Sequence, residues 1–296
     1  MTVAEDGTAT RRALPRWRLL ALGLLLLALL LVAALWTQRR QIATEYVNRE
    51  LARRGVKATY KVTRVGFRTQ RMEQLVIGDP RRPDATAEWV EIEISLGVRR
   101  PRVELIRARG VRLNGRVVDG KVTLGELDKL LPPPTGKPFR LPNQRVDLAD
   151  ASIRLDTPAG RIGIALEGSG NLAYSFEGRI AAVSRGLRAG DCRVTAPRLV
   201  ADLRTEEERP TLTGPLRAES AACGGVDLIR PRLTLKATLD AGFDGGEGHA
   251  DVELARLRSG GHAFDAISGR IGFDGDADGV RGGLDLAAAR ASVGDY

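Results

Sequence analysis

The sharpest prospect of chemistry in the sequence lies near its end, in Asp274-Gly275-Asp276-Ala277-Asp278-Gly279. Carboxylates at alternate positions followed by glycine match the opening of an EF-hand calcium loop, and Asp285 stands at the loop's last position. A bidentate glutamate belongs there, however, and the flanking RIGF and GLDL read as strands. A solvated hairpin turn is the expected reading, with calcium on Asp274, Asp276, Asp278 and Asp285 the weaker alternative. Gly168-Ser169-Gly170 could begin a dinucleotide turn, but the following NLAYSF reads as a strand, so a loop is expected. The sole histidines, His249 and His262, lie in Gly-rich turns with no nucleophile motif beside them. Cys192 and Cys223 are compatible with one disulfide in a translocated domain or with two buried thiols. No CxxC occurs and the histidines are not spaced to complete a zinc site. The residues therefore predict no enzyme, no metal and no cofactor.

The elements that would carry such residues are more informative. Between Trp17 and Trp36 runs an apolar stretch, from Leu19 to Leu35, with no charge between Arg18 and Arg39. As a helix it would set the two tryptophans about 28 Å apart, at the headgroup level on either side of a hydrocarbon core. Val32-Ala33-Ala34 is a passable cleavage site, but the run is too long for an ordinary leader and ends in Trp36 and Arg39-Arg40. A transmembrane helix over 19–37 is the expectation. Arginines on both sides leave its orientation open by charge alone.

The 296-residue chain is 43% hydrophobic and 28% charged, which is ordinary globular composition, with 34 glycines and 14 prolines to supply turns. Aromatics make up only 4%, so a core would have to be built from Leu, Val, Ile and Ala. The net charge of +9 arises from cations interleaved with acids, as in RVELIRARG, and no nucleic-acid-reading motif accompanies them. Nucleic acid is excluded as a partner; a mild pull toward anionic lipid is expected.

Beyond the span, IATEYVNRELARR predicts a short helix within 41–55, stopped by Gly55. In TAEWVEIEISLG, Val90, Ile92, Ile94 and Leu96 share one face and Trp89, Glu91, Glu93 and Ser95 the other. Short strands follow around Val111 and Leu113 and around Val117-Val118, with turns expected at Asn114-Gly115 and Asp119-Gly120. GELDKLL predicts a helical turn or two, closing a first β module over 56–131. Pro132-Pro133-Pro134 opens a stiff linker over 132–145. From 146 to 296 the pattern is strand, turn, strand, a long antiparallel meander, and Leu233, Leu235 and Leu239 again fall on one face. With helices nearly absent, the apolar face needs a second sheet, barrel closure or a ligand. A curled sheet enclosing an apolar ligand fits that need.

The order of span, ELARRGV, TRVGFRTQRMEQLVIGDP, AEWVEIEISLG and RVELIRARGVRLNGRVVDGKVTLGELDKLLPPP resembles the N-terminal part of YdbH-type proteins, AsmA-like relatives of TamB in the Gram-negative envelope. The resemblance is specific over Thr37 to Pro134 and thinner to the end. It implies a cytoplasmic tail over 1–18, an inner-membrane anchor, and a periplasmic β-groove carrying phospholipid acyl chains toward the outer membrane, where a small lipoprotein is the implied partner. The groove would be lined by Val90, Ile92, Ile94, Leu96, Val111, Leu113, Leu233, Leu235 and Leu239. A membrane-anchored scaffold or assembly factor for outer-membrane proteins is the alternative. About fifteen strands would extend only about 70 Å, short of such a bridge, so the chain is expected to be part of a longer one.

Overall fold

The computed structural model describes residues 49, 51–66, 68–95, 102–118, 121–130, 140–276 and 279–293. The apolar run from Leu19 to Leu35 with Trp17 and Trp36, Leu96, Asp278 and most of the Pro-rich linker lie outside them. Among the described residues no helix is long and apolar enough to cross a membrane. Residues 1–47 and 48–296 form two separate units, and every described residue belongs to the second.

Alternating polar and apolar residues interrupted by glycine make this unit almost entirely strand. In order they are β1 (Ala58–Val65), β2 (Thr69–Asp79), β3 (Arg82–Ser95), β4 (Arg102–Arg109), β5 (Arg112–Val118), β6 (Lys121–Thr123), β7 (Arg145–Thr157), β8 (Gly160–Asn171), β9 (Glu177–Ser184), β10 (Gly186–Ala189), β11 (Cys192–Thr195) and β12 (Arg198–Glu206). They continue with β13 (Arg209–Arg217), β14 (Ser220–Cys223), β15 (Val226–Ile229), β16 (Arg232–Leu239), β17 (Gly246–Ser259), β18 (His262–Asp276) and β19 (Gly279–Val293). A 3-10 helix spans Gly125–Leu130. Of the helix expected within 41–55, Arg49 and residues 51–53 are described and helical, and Gly55 (φ 63°) follows them.

All the strands belong to one sheet. It is mixed, which corrects the antiparallel expectation. β4 and β5 are antiparallel to β3 on one side and parallel to β7 on the other, with Ile106 beside Val146 and Leu113 beside Ile153. Parallel neighbours need a crossover, and β6 and the 3-10 helix lie in the stretch of chain between β5 and β7. Strands before and after residues 132–145 thus belong to the same sheet.

Two turn expectations fail for one physical reason. Asn114-Gly115 does not turn; both lie inside β5. A Cβ on Gly115 would stand 2.9 Å from Leu124 Cδ2 and 3.2 Å from the Thr123 carbonyl. Gly168-Ser169-Gly170 is likewise strand, inside β8, and it is Leu172 to Phe176 that leaves the sheet. Here a Cβ on Gly168 would lie 2.5 Å from Gly178 Cα. These glycines serve close approach of neighbouring backbone, not chain reversal.

Strict alternation also breaks along two lines. At the first, the apolar face advances by three residues instead of two: Met72 to Leu75, Ala108 to Val111, Leu148 to Ala151. At the second it runs from Val194 to Pro197, Leu228 to Pro231 and Phe264 to Ile267. Each step contains one left-handed residue: Gln74 (φ 54°), Gly110 (63°), Asp150 (55°), Ala196 (48°), Arg230 (51°) and Ala266 (50°). Such residues turn the strand, and neighbouring strands turn together, so each line is a corner in the sheet. The first ends in register shifts, at β1–β2 and at Leu148/Ala151.

Candidate functional site

Because the corners are shared, residues of one face stay aligned across many strands. One ladder of directly paired residues runs from β1 to β19: Ala58, Ile77, Ala85, Leu113, Ile153, Ile164, Ala182, Leu199, Leu216, Leu233, Val252, Gly269 and Leu286. A second, parallel to it, runs through Met72, Val90, Ala108, Leu148, Gly168, Gly178, Leu203, Leu212, Ala237, Gly248, Phe273 and Gly282. Neither contains a charged side chain. At the spacing of neighbouring strands the first ladder is an apolar track about 60 Å long.

The track has little cover. Among the described residues Phe176, 2% exposed, is the largest side chain withdrawn from solvent; Ile77, Val252, Leu254 and Ile267 are buried too, the last three in one small cluster, and many of the other buried positions are alanines such as Ala201, Ala250 and Ala263. Leu199, Leu216, Leu233 and Leu235 are only half-buried, whereas a packed core would enclose them. Cover is local, and Leu233, Val252 and Leu286 share one cluster with Leu254 and Ile267. Leu51, Leu127 and Leu130 pack over Val56, Ile77 and Ala85. Phe176 lies against the bare backbone of Gly168 and Gly178, where added Cβ atoms would come 2.8 and 2.9 Å from its ring. Leu284, on the same face in β19, is 71% exposed.

The opposite face is charged and belongs to water. Glu91, 9% exposed, accepts from Arg107 Nη1 at 3.2 Å, and Arg107 also bonds Glu93. The hydrogen bond to Glu93 raises the Arg107 pKa above the ordinary guanidinium value. Arg71 stands 4.2 Å over the Trp89 ring and 4.0 Å from Glu91. Farther along, Arg179 sits between Glu167 at 4.0 Å and Asp202 at 3.8 Å. A sheet with one charged and one uncovered apolar face can hold an elongated apolar molecule without any reacting group.

Of the residues expected to line a groove, Val90 and Ile92 in β3, Leu113 in β5, and Leu233 and Leu235 in β16 lie on this one face. Ile94 pairs with Val103 across a register shift, Leu239 with Gly246, and Val111 occupies the first corner. The apolar ladder residues of β7, β8, β12 and β13 went unassigned, although a spacing of three across Asp150 and Ala196 is legible once the corners are known. Cys192 and Cys223 are joined by a disulfide, directly across β11 and β14, with Cα atoms 4.2 Å apart. Asp274 and Asp276 close β18, while Asp285 lies in β19 opposite Arg270, four residues from Arg281, the partner of Asp274. Among the described residues no group of acidic, His or Cys side chains could hold a metal.

Fold and face together define an open-faced amphipathic β-sheet protein. Residues 26–293 match the YdbH-like family, described as intermembrane phospholipid transport protein YdbH, and the chain belongs to that family. Membership implies a part in carrying phospholipid between membranes and places the chain in a transport family, not an enzyme family. No curated protein matches the chain.

Proposed function

We propose that this protein is anchored in the inner membrane of a Gram-negative envelope by Trp17, Leu19 to Leu35 and Trp36. Its sheet stands in the periplasm and guides phospholipid acyl chains toward the outer membrane, supporting outer-membrane lipid homeostasis. The observation that carries this reading is the uncharged ladder from Ala58 to Leu286, in which all but Ile77, Ala85 and Val252 are only half-buried. Each acyl CH₂ laid on it gains about 0.8 kcal/mol, and the headgroup stays in water. Near-equivalent leucines along the ladder give no deep local well, so a chain can slide. The two corners support a curled, groove-like sheet, and a small outer-membrane lipoprotein would receive lipid at the far end.

Photo-crosslinkers at Ile92 and Leu235 in the full chain test this reading. Phospholipid adducts at both, with co-purifying phospholipid found by mass spectrometry, are expected; lipid-free protein without adducts would sink it. Among the described residues β19 pairs with β18 alone, and this open edge with exposed Leu284 favours a second reading, a scaffold for outer-membrane proteins, since such an edge offers backbone groups to another strand. Protein adducts along β19 with none to lipid at Leu235 would replace the first reading by the second.

A further inference from the structure

The rim where the chain enters the sheet carries an arginine cleft that the apolar track does not use. The β2–β3 turn, the β5–β6 hairpin and β7–β8 converge there on a cleft of about 560 Å³ lined by Arg81, Arg82, Arg116, Arg154 and Arg161 with Asp84 and Asp156. Both carboxylates are already engaged: Asp84 accepts the Glu126 N–H at 3.0 Å, and Asp156 accepts Arg161 Nε at 2.5 Å. Arg81, Arg82, Arg116 and Arg154 are exposed and form no salt bridge among the described residues. The cleft at the other end of the sheet is balanced differently, with Arg209 and Arg281 among Asp240, Glu247, Asp274 and Asp276. Arg116 and Arg154 act on Asp156 at longer range, yet five guanidinium groups to two carboxylates leave an excess of positive charge that suits several phosphates at once.

We propose that this rim docks on an anionic phospholipid surface; the proposal rests on the lipid-carrier reading above. Two observations select a bilayer surface over the headgroup of a carried lipid. Arg116, Arg154 and Arg161 alternate with Gly115, Leu155 and Ile162, so they stand on the face opposite the track, out of line with a phosphate whose acyl chains lie on it. Arg81 and Arg82 sit at the β2–β3 turn, at the end of the sheet where Leu51 and Val56 bring the chain in. Docking there would hold the start of the apolar track at the membrane from which lipid is drawn.

The test uses the full chain reconstituted in vesicles, with p-benzoylphenylalanine in place of Pro80 in one preparation and of Leu235 in another. Adducts at Pro80 are expected in vesicles containing phosphatidylglycerol and scarce in pure phosphatidylcholine. They should fall as salt shortens the Debye length, and by more than about tenfold in Arg81→Glu/Arg82→Glu, at about fivefold per arginine removed. Arg116→Gln/Arg154→Gln serves as a second variant, and the Leu235 adduct reports that the sheet remains intact. Equal Pro80 yields in the two vesicle types, yields indifferent to both variants, or capture of protein in place of lipid would overturn docking. Lipid capture at Leu235 without charge-dependent capture at Pro80 defeats docking alone. Charge-dependent capture at Pro80 with none at Leu235 supports docking and defeats the carrier reading.

Discussion

At the scale of residues, two ion pairs clamp the two corners. Arg256 Nε bonds Asp265 Oδ1 at 2.5 Å and Nη2 bonds Oδ2 at 3.2 Å, beside left-handed Ala266. Arg112 Nη2 bonds Asp150 Oδ2 at 2.6 Å, and Asp150 is itself the left-handed residue of the first corner. In each pair the hydrogen bond from the arginine leads in holding the aspartate below the usual carboxylate range. A carboxylate whose folded pKa is depressed contributes stability above its unfolded value near 4 and loses it as pH falls through the folded value. The thermal midpoint is therefore expected to drop as acid is added below about pH 4, and Asp265→Asn to lower the neutral-pH midpoint while flattening that acid limb. An acid limb unchanged in the variant would show that Asp265 does not contribute to it.

At the scale of elements, the second corner repeats from hairpin to hairpin through Ala196, Arg230 and Ala266, none of them glycine. A left-handed alanine costs roughly 1–2 kcal/mol that glycine does not incur, offset in part by the greater freedom of glycine in the unfolded chain. Ala196→Gly and Ala266→Gly are expected to raise stability by about 0.5–1 kcal/mol each in denaturant titrations with the slope unchanged. Destabilisation by either change would mean that the alanine methyl packs more usefully than the backbone is strained. The Cys192–Cys223 bond ties β11 to β14 just beyond this corner, where the strands are only four residues long.

At the scale of the whole unit, the proposed function requires a continuous ladder. Leu216 stands in the ladder between Leu199 and Leu233, with the β1 end on one side and β19 on the other. If lipid is taken up at the β1 end, as proposed, Leu216→Arg should split occupancy: a crosslinker at Ile153, on the β1 side, keeps its phospholipid adducts, and one at Leu286 loses them. Equal loss at both sites would indicate general unfolding, and equal retention would mean that lipid does not travel along the ladder. The thinness of the unit accords with the proposed function, since a sheet that offers its apolar face to a ligand cannot also bury that face in its own core.

The alternation of Val90 and Ile92 or of Leu233 and Leu235 was legible in the chain because side chains on a strand alternate with period two, whatever the neighbours are. The scarcity of aromatic residues and of helices was equally legible, and with it the open apolar face. The parallel seam between β4–β5 and β7 was not legible, because register across a crossover is set by which distant strands bury each other's apolar residues. Nor were the corners, where alternation lapses and a local reading loses the face. Asn114-Gly115 and Gly168-Ser169-Gly170 misled for a related reason: glycine marks either a turn or a close approach, and only the neighbouring strand decides which. The residues alone determined that an apolar face would exist. Tertiary pairing decided that thirteen of them, scattered from Ala58 to Leu286, form one line, because a ladder exists only between strands.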